Sequence, residues 1–236
     1  MKKILFSLLA VVFSFSPILK SEGYIATYSF ELAAQDVQEY ATALDNLMQS
    51  DWGKSFPGMV TFGSYVFNGY DDATHAVVIN YNSDQEMGDG TESFYTPEFA
   101  AFLESVSDIV EPVEQSLNRK LISGGNNDSA LNQIYTIYRM SVGNAKSYAS
   151  AWSELTEAQV KAGNLPGSYG LRAQVLGNNR FYTHYAYTSA SDIESAVTGN
   201  SNLLSSDSFK KFSRKVTGNR EIVQTSMMKV LQAYNQ

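Results

Sequence analysis

The sequence contains no cysteine. That excludes disulfides, thiol nucleophiles and cysteine metal sites, and it argues against a lipoprotein anchor. The chain must therefore be held by its core. Histidine is almost as scarce, with only His75 and His184. Charged residues make up 17% and tilt to acid, 24 Asp and Glu against 17 Lys and Arg. An acidic chain repels nucleic-acid phosphates and anionic bilayers, so neither is an expected partner. Also missing are a nucleophile elbow, a P-loop and a dinucleotide fingerprint, and with them the enzyme classes they serve.

Long hydrophobic runs are confined to the N-terminus. Ile4 to Phe15 is an apolar run of 12 residues with Ser as its only polar type, preceded by Lys2 and Lys3. A membrane-spanning helix needs ~20 apolar residues. The run suits the apolar region of an export signal, expected over residues 1–22, and implies a periplasmic or secreted protein. An uncleaved N-terminal anchor is the alternative reading. After signal removal no stable membrane insertion is expected.

What the chain does have is apolar and aromatic substance: 44% hydrophobic residues, 15 Tyr and 13 Phe. That is a globular composition. Read along the chain, residues 23–123 give a strand ("YIATYSF"), a helix carrying Val37, Tyr40, Leu44, Leu47 and Met48 at helical spacing, and a Pro57-Gly58 stop. Two strands ("MVTFGSYVFN", "THAVVINY"), a short helix ("TPEFAAFLESV") and a last strand ("VEQSLNRKLIS") follow. Residues 133–236 repeat the order. A strand ("QIYTIYRM") leads to a helix with Tyr148, Ala151, Trp152, Leu155 and Val160 on one side, and then to a Pro166-Gly167 turn. Two strands about a "GNN" turn, a helix ("DSFKKFSRKV") and a final strand complete it. Phe99, Phe102 and Val106 sit 110 positions before Phe209, Phe212 and Val216, and Pro57 sits 109 before Pro166. These matches predict an internal duplication, with residues 124–132 as a Gly- and Asn-rich linker. The segment 82–93 collects Asp84, Glu86, Asp89 and Glu92 among glycines. Its spacing does not fit a calcium loop, and it reads as a solvated acidic loop.

Two β-α-β-β-α-β units in tandem, each with a late F-x-x-F helix, resemble the ferredoxin-like repeat of the dimeric α+β-barrel superfamily. That superfamily includes antibiotic-biosynthesis monooxygenase-type and stress-responsive barrel domains. The resemblance implies an α+β protein whose two antiparallel sheets pack face to face and enclose a space. Both faces of the strand around Val60 to Val66 are apolar, which agrees with burial on two sides. One chain supplies both sheets, so a monomer suffices.

Against that frame the candidate site residues are few. His75 and His184 each follow a threonine on the third strand of their unit. Each could be a general base, a ligand contact or a haem ligand of the kind the resemblance implies; the plainer reading is a half-buried histidine bonded to a neighbour. Alternation places Tyr182 beside His184. Arg139, Arg172 and Lys229 lie inside strands of the second unit, where charge is depleted unless paired or exposed. If they share a face with His184 they form a cationic patch suited to a carboxylate or other anion. The first unit offers only Arg119 and Lys120, on its last strand. Trp152 falls on the apolar helix face and reads as core, whereas Trp52, at a helix end, could cap a pocket mouth. Three functions remain open at this point. One is binding of a small apolar or aromatic ligand between the sheets. Another is a cofactor-free monooxygenase- or isomerase-like activity with His184 or His75 as base. The third is a structural or partner-binding role. No cofactor is required by any motif.

Overall fold

The computed structural model describes residues 23–125, 130–165, 167–177 and 182–236. The expected export signal, Pro166, most of the "GNN" turn and the middle of the expected linker lie outside the described residues.

The first half runs β1 (Tyr24–Leu32), α1 (Val37–Gln49), α2 (Asp51–Ser55), β2 (Met59–Phe67), β3 (His75–Tyr81), α3 (Asp84–Ser93), α4 (Pro97–Val106) and β4 (Val110–Gly124). The second runs β5 (Ile134–Val142), α5 (Ala145–Lys161), β6 (Tyr169–Gly177), β7 (His184–Ala190), α6 (Ile193–Ser205), α7 (Asp207–Lys215) and β8 (Arg220–Tyr234). Each half is a ferredoxin-like unit. The eight strands close into one antiparallel barrel in the order β1-β3-β2-β8-β5-β7-β6-β4. The seams are β2 with β8 and β4 with β6, so each seam joins one half to the other. Closure pairs every edge, and one chain provides all the strands.

Strand alternation sorts the side chains into two environments. On the outer face, Phe30, Val60, Phe62 and Ile79 pack under Tyr40, Leu44 and Met48 of α1. In the second half Met140, Val142, Leu171 and Ala186 pack under Tyr148, Trp152 and Leu155 of α5 and Phe212 of α7. Phe102 on α4 meets Tyr40 of α1 at 6.1 Å, and Phe212 on α7 meets Tyr148 of α5 at 5.8 Å. Trp152 is core, 5% exposed.

Three local expectations are corrected. The segment 82–93 is not a loop but α3, because Ser83 caps it. The Ser83 hydroxyl accepts from the Glu86 N–H at 3.0 Å, and the Glu86 carboxylate accepts from the Asn82 N–H at 2.7 Å. The serine–glutamate spacing of a capping box overrides the glycines. Its counterpart α6, unassigned from sequence, starts on Asp192, which accepts from Ser195 N–H at 2.7 Å. The long first helix breaks in two at Ser50, an extended residue whose hydroxyl caps α2.

Candidate functional site

The inner faces of the strands enclose a cavity of about 120 Å³. Ile25, Val78, Ile137 and Met228 supply apolar wall, while Tyr65, Tyr135, Tyr182, Tyr185 and Tyr187 supply rings with a polar end. Arg139 and Arg172 complete the lining. The register explains how these meet. On β7, Tyr185 is the partner of Arg139 on β5 and of Arg172 on β6. All three therefore share the inner face, with the arginines two strand spacings, roughly 10 Å, apart. Gly170 stands opposite Tyr187 on the same face. A Cβ there would lie 2.7 Å from both the Arg172 guanidinium and the Tyr187 ring, so only glycine leaves room for that pair.

The two arginines differ in their partners. Arg139 is 7% exposed. Its Nη1 donates to Asp71 at 3.1 Å and to Gln224 at 2.8 Å, and lies 3.6 Å from Glu114. Its guanidinium sits 5.4 Å from the centre of the Tyr182 ring, and the Tyr182 hydroxyl donates to Glu114 at 2.8 Å. Gln224 in turn donates to the Asn68 carbonyl at 2.8 Å. This network ties β5 and β8 to β4 and the β2–β3 loop, across both halves. Arg172 is 3% exposed and lies 5.1 Å from the centre of the Tyr187 ring. Among the described residues it donates to two backbone carbonyls and the Tyr187 hydroxyl. Across the β4–β6 seam it is in register with Lys120. Burial, with Arg172 beside it, pushes the Lys120 ammonium down to about 8. Burial raises the phenols of Tyr182 and Tyr185 above their ordinary range, so both remain protonated donors at neutral pH.

The expected cationic patch is thus partly assembled. Arg139, Arg172 and Tyr182 line one cavity. Lys229 is exposed and stands apart from them. The condition that His184 share their face is not met. His184 is in register with Met140 and Ala173 on the helix-covered face, and His75 stacks on Phe62 at 5.4 Å and on Phe30 at 6.4 Å. Tyr182 parts from His184 because it precedes β7, outside the alternation of the strand. Trp52 does not cap the cavity either. It stacks between Phe56 and Phe99 at 4.9 and 5.5 Å in the helix layer and donates to the Ser93 carbonyl at 3.1 Å. Glu114 and Asp71 are not among the sequence candidates, and Lys120 enters there only as a charge on the last strand of the first unit. The signal for Lys120 was its alternation with Ser116 and Asn118, two more buried polar groups on β4.

The histidines serve as strand-end clamps. In each half the threonine hydroxyl lies 2.8 Å from the histidine Nδ1. Thr74 also accepts from Leu32 N–H at 2.9 Å, and Thr183 from Val142 N–H at 3.0 Å. Leu32 and Val142 end β1 and β5. Burial lowers both histidine pKa values below the ordinary 6.5. Below pH 6.5 the unfolded chain therefore binds protons that the folded chain resists, and stability falls with pH until the folded pKa is passed. Urea midpoints measured between pH 7.5 and 5.5 should fall with pH. The double variant His75→Gln/His184→Gln should flatten that part of the profile, and an unchanged slope would contradict buried neutral histidines.

A haem does not fit these residues. The Nε2 of His184 is buried without a partner, as a free ligand atom would be. Yet neither histidine lines the barrel cavity, and its volume is far below the ~300 Å³ at which sites for larger ligands begin. Among the described residues no group of three or more His, Asp or Glu could hold a metal ion, and no helix is long and apolar enough to cross a membrane.

No protein-family model and no curated sequence matches this chain. Solved structures do. A provisionally named monooxygenase from Fusobacterium nucleatum is 14% identical, with a TM-score of 0.60 over 92% of this chain and 95% of its own. Another provisionally named monooxygenase, from Lactobacillus acidophilus, is 9% identical, with a TM-score of 0.59 over 90% and 96%. A heme-binding protein from Thermus thermophilus is also 9% identical, with a TM-score of 0.53 over 89% and 92%. At such identities the likeness extends to the fold alone, and that fold is an α+β barrel.

Proposed function

We propose that this protein binds a small molecule with an apolar or aromatic body inside its barrel. The observation that carries this reading is the cavity walled by five tyrosines and two arginines. Small-ligand sites are built in this way, from apolar and aromatic wall with a few placed polar groups. The volume limits the ligand. An engineered cavity of about 150 Å³ takes benzene, so about 120 Å³ limits the ligand to no more than one ring. A cofactor-free oxygenase- or isomerase-like reaction with a histidine base is less well supported, because His75 and His184 face the helices. The names of the solved neighbours favour either binding or catalysis equally. Export rests on the basic start and apolar run of residues 1–22.

Native mass spectrometry of the protein purified from its own host tests both parts. The expected spectrum has a mature chain lacking about the first 22 residues and a non-covalent adduct the size of a one-ring compound. An apo mass at every loading, together with no uptake of added one-ring compounds, would leave the structural or partner-binding reading in its place.

A further inference from the structure

Among the described residues three cations are buried, Lys120, Arg139 and Arg172, and only Arg139 has carboxylates within 4.0 Å; Glu86 acts on Lys120 from farther away. Arg139 has Asp71 and Glu114. Lys120 and Arg172, 7% and 3% exposed, sit in register with each other, and among the described residues neither has an ion pair within 4.0 Å. Two like charges buried side by side are costly unless something offsets them.

The donor count on Arg172 says where an anion would sit. A guanidinium has five N–H groups. Nη1 uses its two on the Ile122 carbonyl at 2.5 Å and the Leu171 carbonyl at 3.1 Å. Nη2 uses one on the Tyr187 hydroxyl at 3.1 Å. The Nε–H is buried and has no partner, and one Nη2–H is left over. These two donors are on neighbouring nitrogens, the spacing that a planar carboxylate matches with its two oxygens. Lys120 donates to Asn82 Oδ1 at 3.3 Å and keeps further protons. Arg172 lines the cavity together with Tyr185, Tyr187 and Ile137, so an acid group on Arg172 places a ring among aromatic and aliphatic side chains.

We infer that the ligand is a one-ring carboxylic acid, of the benzoate type, whose carboxylate takes the free Nε–H and Nη2–H of Arg172 with Lys120 as the second cation. The inference rests on the binding reading above and adds its charge. It also assigns unequal roles to the two arginines: Arg139 is neutralised by the protein, and Arg172 is completed by the ligand.

Calorimetric titration of the full chain at pH 7 with benzoate and with its neutral isostere benzamide separates the two claims. Benzoate should bind about 10–100-fold tighter, the worth of charge-assisted hydrogen bonds. Raising the pH from 7 to 9 should weaken benzoate binding as Lys120 loses its proton, and leave benzamide unchanged. Arg172→Gln should bring benzoate down to the affinity of benzamide. Equal affinities in the wild-type chain overturn the anion subsite and leave the cavity reading standing. A preference for benzoate that survives Arg172→Gln overturns the assignment to Arg172. Failure of both compounds to bind at millimolar concentration overturns the inference and the binding reading together. The wild-type comparison and its pH dependence need no variant, so a poorly folding Arg172→Gln would not shield the inference.

Discussion

Replacing Arg139 by methionine should lower the free energy of unfolding by about 3–5 kcal/mol, the cost of removing one partner from a buried ion pair. The guanidinium holds Asp71 at 3.1 Å, Glu114 at 3.6 Å and Gln224 at 2.8 Å. Methionine fills much of its volume but leaves two carboxylates without a counter-charge. Their side chains are only 20% and 13% exposed, so water reaches them poorly. The network also spans the halves, since Arg139 is on β5 and Glu114 on β4. Urea denaturation at neutral pH is the measurement, read as a fall in midpoint at constant slope. In a Glu114→Gln background the same replacement should cost less, because one stranded charge is already gone. A loss below about 1 kcal/mol would place these groups with exposed surface pairs and remove the network as a tie between the halves.

Phe212→Ala should cost a similar ~3–5 kcal/mol, as a large aromatic deleted from a closed core. Phe212 is 2% exposed and meets Tyr148 and Trp152 edge-on, at 5.8 and 6.1 Å between ring centres. Arg220 lies over its ring at 5.2 Å. Its counterpart Phe102 is only partly buried, so Phe102→Ala should cost less, about 1–3 kcal/mol by lost transfer free energy. Either loss is a large fraction of the ~5–15 kcal/mol that holds a typical domain. The barrel adds a second expectation. Its seams make each sheet depend on the other, so Phe212→Ala should unfold both halves together. Trp52 reports on the first half and Trp152 on the second. With Trp152→Phe as background, the Trp52 fluorescence transition should still shift with Phe212→Ala. A Trp52 transition that stays in place would mean that the halves unfold independently.

Much of the fold is legible in the sequence. Period-2 runs of Tyr, Val and Ile located the strands, and spacings such as Tyr40, Leu44, Leu47 and Met48 located α1. The Phe102–Phe212 correspondence placed α4 and α7 in equivalent positions. What was missed has identifiable causes. α3 was hidden because glycines at 88 and 90 outweighed the Ser83–Glu86 capping pair in a local reading. The histidines drew attention as the two residues best suited to catalysis, but strand parity turns them toward the helices. Glu114 is absent from the sequence candidates and Lys120 enters only as a charge on the first unit's last strand, because nothing local shows what either will face. In the closed barrel β4 has neighbours on both sides.

The sequence by itself determined the class and order of elements, because helix and strand periodicity, caps and turns are local properties of the chain. It also determined that Arg139 and Arg172 are unusual, since charge inside an apolar strand needs an explanation. Only the tertiary structure decided what each arginine meets. That choice depends on the β2–β8 and β4–β6 seams, which bring residues from opposite halves within bonding distance. One seam residue, Lys120, comes beside Arg172, and Asp71 and Glu114 come beside Arg139. The strand sequences of Arg139 and Arg172 alone cannot distinguish a cation matched by the protein from one left to a ligand, because Asp71, Glu114 and Lys120, the charged groups that meet them, are 68, 25 and 52 positions away along the chain and adjacent only once the barrel is closed.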